Sequence, residues 1–445
     1  MKRLIGFSAI FALPLALAGC PGDDTSSGES TTDNSTGGSG DETAGTGTPV
    51  ACADPADESA RVAVDATIDG DTTWTCGQVY VLNAITFVNS GTLTIEPGTT
   101  ILGGAGSALV IDQGASIDAQ GTAEEPIVMT SINVGAGPAR GDWGGLVMLG
   151  TAPANVGVGS AEGFANPPSY GGDDAGHNCG TLSYVRVEWA GYEISPGNEL
   201  NGITYYACGT ATSVDHVQVH MGSDDGMEMF GGQFNLSNIV ITGAADDSVD
   251  CDQGFRGSLQ DVFIHQDPAI GDNCLEWSNQ GTDFAAQPLT GPTIRNLTCI
   301  GSGAGGDKSK GVTIKEGTQA TIESSLFANL TNDGVVLQNQ ATQTQAEGGS
   351  ISFAGTHFCG GASYVVDTDM DDPDPPGWDS VMFSDWMVDA GGATDGTACP
   401  FGSTTWGSPD VSMGDATPMG VNGYAGAVDP AGDDWTQEPW INYGT

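Results

Sequence analysis

The chain has 445 residues, with 57 Asp and Glu against 10 Lys and Arg, 69 Gly and 10 Cys, and a formal charge of −47. Acidity on this scale makes nucleic acid and anionic membrane faces poor partners and leaves cations and neutral or cationic ligands, although it also fits solubility or adaptation to salt. Ten cysteines suit an exported, disulfide-permissive protein.

Met1-Lys2-Arg3 is followed by an apolar run from Leu4 to Leu17 and by Leu17-Ala18-Gly19-Cys20. A basic start, a short apolar stretch and small residues before a Cys predict a signal peptide over 1–19, since a membrane span needs roughly 20 apolar residues. The ending is similar to the bacterial lipobox, which implies acylation of Cys20 and a membrane partner held through that lipid. Pro21 follows the Cys, which by resemblance to lipoprotein sorting favours the outer membrane, on its periplasmic or surface side. Lys2 and Arg3 leave with the signal, so the mature chain carries 8 Lys and Arg against 57 Asp and Glu, or −49. Residues 20–49 are Ser, Thr, Gly and Asp with almost no apolar content, which predicts a flexible tether.

Residues 50–90 hold short apolar runs such as Val79–Val81 and Ile85–Val88, expected to cap the open end of the repetitive region, because a terminal coil would otherwise offer unpaired edge groups. From 91 the chain alternates: Thr92-Leu93-Thr94-Ile95, Ala108-Leu109-Val110-Ile111, Pro126-Ile127-Val128-Met129. Residues 141–180, rich in Gly, Pro, Asn and Asp, read as a long inserted loop. Between 201 and 338 a turn-and-strand unit repeats, with its first apolar residue at 203, 227, 249, 275, 312 and 335, and a second strand keeps phase with it. Two strands per period and no helical run predict an all-β fold, a parallel β-helix over 91–359.

Period-two alternation points Val217, Val219, Met227, Met229, Val249, Cys251, Val312 and Ile314 inward. It ranks Thr204, Glu228, Asp250, Glu276, Thr313 and Val336 in one outer column, with Tyr206, Phe230 and Asp252 in the next. Neighbouring coils lie about 4.8 Å apart. Unit charges at that spacing repel by roughly 3.5 kcal/mol at an effective dielectric of 20 and by about 1 kcal/mol in water. A cation, a raised pKa or outward splaying would relieve this.

The turn before the column adds Asp224, Asp225, Asp246 and Asp247. Hard oxygen ligands crowded at a rigid turn suit Ca²⁺; serving the backbone N–H groups of their own turns is the other role open to them. The Asp-x-Asp-x-Asp spacing at 367–371 is a weaker calcium hint. His220 and His265 fall in another outer column with Glu188 and Thr242, where solvated surface positions are expected, or acid and base work beside Asp225 and Asp247. Lys315 lies at the end of the acidic column, where it can bridge to Asp252 or Glu276 or act as a base.

Leu93-Thr94-Ile95-Glu96-Pro97-Gly98-Thr99, Asp142-Trp143-Gly144-Gly145-Leu146, Ser183–Glu188, Asn198–Gly202 and Val217–His220 resemble a family of secreted β-helix lipoproteins that includes a leptospiral outer-membrane lipoprotein. The resemblance spans roughly 75–445. It implies a right-handed parallel β-helix at or near the cell surface and brings no established activity.

After 338 the period fades, and 360–445, with Trp378, Trp386, Trp406, Trp435 and Trp440, is expected to form an irregular cap folded back on the last coils. Expected disulfides are Cys52–Cys76, Cys179–Cys208 and Cys359–Cys399. Cys251 and Cys299 fall on inward positions, where a free Cys behaves as a small hydrophobe. Two functions fit: a lipid-anchored binding, structural or adhesion module that meets a polysaccharide or a surface protein, or a polysaccharide lyase or glycoside hydrolase working at Glu228, Asp250, Glu276 and Lys315. An open groove flanked by Tyr206 and Phe230 would favour the second.

Overall fold

The computed structural model describes residues 51–195, 198–303, 309–367 and 374–444. The signal, Cys20, the tether and the 368–371 part of the acidic 367–371 spacing lie outside the described residues.

Short strands stack coil on coil in parallel register, and the chain is a parallel β-helix. One ladder runs through Ile203–Tyr206, Met227–Phe230, Val249–Asp252, Asn273–Trp277, Lys310–Ile314 and Asp333–Leu337. Its register puts Thr204 beside Glu228, Glu228 beside Asp250, Asp250 beside Glu276, Glu276 beside Thr313 and Thr313 beside Val336. A second ladder places Glu188, His220, Thr242 and His265 in file. The side chains expected inside are buried, among them Val217, Met227, Met229, Val249, Cys251, Val312 and Ile314.

The second ladder holds one element more than alternation alone reveals. Its strands, such as Ser213–His220, Asn235–Thr242 and Ser258–His265, bend in the middle. Tyr184, His216, Asn238, Asp261 and Asn296 stand at the bend in stacked coils, all with φ between 49° and 56°. Asn and Asp tolerate that left-handed conformation better than other side-chain-bearing residues, so the corner reads as polar residues in register. The segment before each bend buries a single apolar side chain, Leu182, Val214, Leu236, Leu259 or Ile294, which is too short an alternation to show in the sequence.

Three boundaries differ from expectation. Parallel stacking starts at β1 (Arg61–Ala63), β2 (Thr67–Asp69) and β3 (Thr72–Trp74), not at 91: β1 pairs with β4 (Val79–Leu82), and β2 and β3 both pair with β5 (Ile85–Ile95). These first strands are short and polar, which made them look like a cap. The insertion expected over 141–180 contains a ladder strand, Leu146–Leu149, paired to Ile203–Tyr206. Beyond 360, Ser363–Val366 and Ala393–Thr397 still pair with the coils, separated by a helix at Ser380–Asp389.

The tail then returns much further than the last coils. Asn442 donates its N–H to Gln218 Oε1 at 2.8 Å and its side-chain amide to Glu188 Oε1 at 3.0 Å, and the Trp440 carbonyl accepts from Arg186. Its apolar residues Val428, Trp440 and Ile441 pack on outward Val240, Phe263 and Ile300.

Cys52–Cys76, Cys179–Cys208 and Cys359–Cys399 are bonded as expected. Cys299 is not free: it bonds Cys274, leaving Cys251 as the buried free thiol among the described residues. The register explains the pair. The turn position held by Gly202, Gly226 and Cys274 faces the inward ladder position held by Val219, Ile241 and Cys299. A Cβ on Gly226 would come within 2.5 Å of Ile241, and one on Gly202 within 2.4 Å of Val219.

Candidate functional site: a closed carboxylate column

Two residues before the first inward side chain of each strand of the first ladder (Ile203, Met227, Val249 or Leu275) stands Asn201, Asp225, Asp247 or Asn273. Asp225 Oδ1 accepts the Asp247 N–H at 2.9 Å, and Asp247 Oδ1 accepts the Asn273 N–H at 2.7 Å and its side-chain amide at 2.8 Å. These two carboxylates accept backbone N–H groups not of their own turns, as expected, but of the equivalent position one coil on, each tying its coil to the next. The sequence pattern did not single out Asn201 and Asn273, although both occupy the repeat position of Asp225 and Asp247. Asn201 donates to Glu228 Oε2 at 2.6 Å, and Asn273 Oδ1 accepts from Thr313.

Turn service leaves carboxylate oxygens converging. Asp224, Asp225 and Asp246 form one group whose oxygens lie within 4.8 Å of one another; Asp225, Glu228 and Asp250 form a second, and Asp247, Asp250 and Glu276 a third. Asp250 belongs to two of the three, and its Oδ1 is closed off from solvent with no hydrogen-bond partner. Burial first, and then the charges of their neighbours, hold Asp225, Glu228, Asp247 and Asp250 well above the usual carboxylate range. Asp224 is pushed up to about 7 by burial and by Asp246. In this company a carboxyl stays ionised only beside a cation and otherwise keeps a proton.

The cation at hand is Lys315, whose Nζ lies 2.5 Å from Glu276 Oε2. Burial works against its charge, but Glu276 and Asp250 outweigh it and hold the ammonium above its ordinary range. A base needs the reverse shift, so Lys315 as it stands is a counter-ion. Lys310 pairs with Asp272 at 3.1 Å on the turn beside it.

The column was expected to lie on an open outer face, and its upper half does not. The insertion closes over it: the Tyr170 ring packs at a tilt against Tyr206 with centroids 4.6 Å apart, Tyr206 stacks on Phe230 at 4.7 Å, and Phe164 and Ala161 join the same apolar cluster. Tyr206 is 1% exposed, Phe230 5% and Glu228 8%. Tyr206 and Phe230 are thus packing for the insertion rather than flanks of a groove. Glu162, which no pattern in the repeat marks, arrives with the insertion and hydrogen-bonds Glu228. Burial raises its pKa too. Asp250, Asp252, Glu276 and Lys315 are half-buried and Asp246 is exposed, so access runs from the lower coils.

His220 and His265 do share a column, as expected, but they are buried instead of solvated. His220 Nδ1 lies 2.7 Å from Thr242 Oγ1, and His265 packs on Trp406 at 5.0 Å. Burial lowers each to about 4. The charged side chains that act on His220 are Glu188, Arg140 and Arg186 rather than Asp225 or Asp247, so the pair stands apart from the carboxylates. The covering segment lies beyond 400, where the repeat has ended.

A parallel coil stack with acidic side chains crowded on one outer ladder defines the class: a parallel β-helix. The model of the pectate-lyase-like β-helix domain matches residues 66–408, and the chain belongs to that family. Comparison with curated proteins and with solved structures returns no match.

Proposed function

We propose that this protein is an exported, Cys20-lipidated β-helix of the outer membrane, periplasmic or surface-facing, that acts as a non-catalytic binding or structural module and holds a divalent cation, Ca²⁺, in its carboxylate column. The observation that carries the reading is Asp250: a carboxylate oxygen sealed from water without a partner, between two carboxylate groups whose charge Lys315, the lysine set against them among the described residues, does not balance. Asp225, Glu228 and Asp250 would hold the ion, with Asp247 and Glu276 completing a second set. Calcium takes six to eight oxygens, and Asp225, Glu228 and Asp250, whose carboxylate oxygens converge from neighbouring coils, would supply part of that set. The insertion over Glu228 and the protonated Lys315 both weigh toward binding rather than turnover.

Family membership favours one other reading, a polysaccharide lyase or glycoside hydrolase working on the exposed lower coils at Asp250, Glu276 and Lys315. One set of experiments separates the two. The full-length protein is melted with Ca²⁺ and with a chelator, and incubated with acidic and neutral polysaccharides while ultraviolet-absorbing unsaturated ends and new reducing ends are followed. A calcium-dependent rise in melting temperature without product supports the binding module. Product that disappears in Asp250→Asn establishes the enzyme, and no effect of calcium removes the ion. Cys20→Ala tests the anchor: the variant is expected in the soluble rather than the membrane fraction.

A further inference from the structure

The amino-terminal end of the coil stack is a second surface with chemistry of its own. Among the described residues, β1, β2 and β3 are each paired on one side only, to β4 or β5. Their other edges carry the unpaired N–H and C=O groups that make a sheet edge a template for another strand. In β1 the direction of those groups follows from the ladder. Val64 donates its N–H to Val81 O at 2.9 Å, so the N–H of Val62 also turns toward β4 and that of Ala63 turns outward.

Between these strands lies a cavity of about 320 Å³ whose apolar walls are Val62, Val64, Ile68, Trp74 and Tyr80. Trp74 and Tyr80 stack at 4.7 Å, and Val62 is 36% exposed, one of the few large apolar side chains left outside. Exposed Asp65 and Asp69 line the rim, exposed Asp71 follows in sequence, and Asp57 and Glu58 precede β1.

We propose that this end docks an extended segment of another protein in which basic and apolar residues alternate, added as a further strand. The open edge supplies main-chain hydrogen bonds. The cavity takes an apolar side chain, and the carboxylates select Lys or Arg on the alternate positions. Charge decides against the two other occupants. A second copy of this chain would bring the same carboxylates to the contact. Residues 21–49 contain six Asp and Glu, no Lys or Arg and almost nothing apolar.

The test uses the full-length chain and short labelled peptides followed by fluorescence anisotropy: Val alternating with Lys, Val alternating with Glu, and Ser alternating with Lys. The Val/Lys peptide is expected to bind and to slow amide exchange over residues 61–74, and the other two to bind at least about tenfold more weakly. Ala63→Pro removes the outward donor and leaves the β1–β4 bonds in place; it should cost the Val/Lys peptide about tenfold. Asp65→Asn with Asp69→Asn should lower affinity and flatten its salt dependence, which keeps the proposal open to refutation should the proline variant fail to fold. Equal binding of the Ser/Lys peptide would mean adsorption to a generally acidic surface and overturns the proposal. So does a dimer in the absence of peptide that Ala63→Pro dissociates, or protection of 61–74 by a peptide of residues 21–49. Failure here leaves the carboxylate column untouched, since the two sites share no residue.

Discussion

Replacing Asp250 by Asn tests the carboxylate column most directly, because the sign of its effect depends on whether an ion is present. The side chain keeps its shape and loses its charge. In chelator, Asp250 faces the Asp225 and Glu228 group on one side and Asp247 and Glu276 on the other. Full charges at about 4.8 Å repel by roughly 3.5 kcal/mol at an effective dielectric of 20. Proton uptake limits what the fold actually bears, since each unit of pKa shift is about 1.4 kcal/mol. Removing the charge is therefore expected to stabilise the chelated protein by about 1–3 kcal/mol. With calcium at about 100 times its Kd, the wild type gains about 2.7 kcal/mol, and the variant, missing a ligand from both groups, gains little. The variant should unfold later than wild type in chelator and earlier in calcium, in paired urea or thermal titrations. Loss of stability under both conditions, or an equal calcium increment in both proteins, would refute the reasoning.

His220→Gln should flatten the acid side of the stability profile. His220 is about 4 in the fold against an ordinary 6.5, so between those values the unfolded chain binds the extra proton. Stability from this group is complete above pH 6.5 and falls by about 3 kcal/mol as the pH drops to 4; urea midpoints over that range, compared between variant and wild type, measure it. Tyr170→Ala removes the buried ring packed against Tyr206 and should cost about 3–5 kcal/mol, with protease cleavage appearing first between 150 and 179. Cys274→Ala opens the bridge to Cys299, 25 residues away; the expected loss is about 3 kcal/mol, read as an earlier melt. Cys251 should react with a thiol reagent only after unfolding, checked by mass.

The ladders were legible because the repeat states them. Once Ile203, Met227, Val249 and Leu275 are taken as equivalent, the column Glu228, Asp250 and Glu276 follows by counting, and the register agrees. What covers the two outer columns, the carboxylates and the histidines, was not legible. Tyr170 and Phe164 sit in an insertion without period, and Trp406 and Trp440 in a tail that has lost it, so nothing local says which coil each meets. The same two segments turned Tyr206, Phe230, His220 and His265 from expected surface residues into buried ones. Cys274 was overlooked for a different reason. It stands where other coils have Gly or Ser, and only the contact of Gly226 with Ile241 shows that this turn position points at the ladder position of Cys299.

A stack of coils in which each touches only its neighbours can come apart one coil at a time from either end. The returning tail changes that, because Asn442 is tied to Gln218 and Glu188 across the whole second half of the stack. Tension on the carboxyl terminus must first drag Trp440 off Tyr184 and His216 and Tyr443 off Phe263, loading many bonds at once. Only then can the last coils unzip singly, so the protein should yield to pulling in one high-force event followed by a train of small ones.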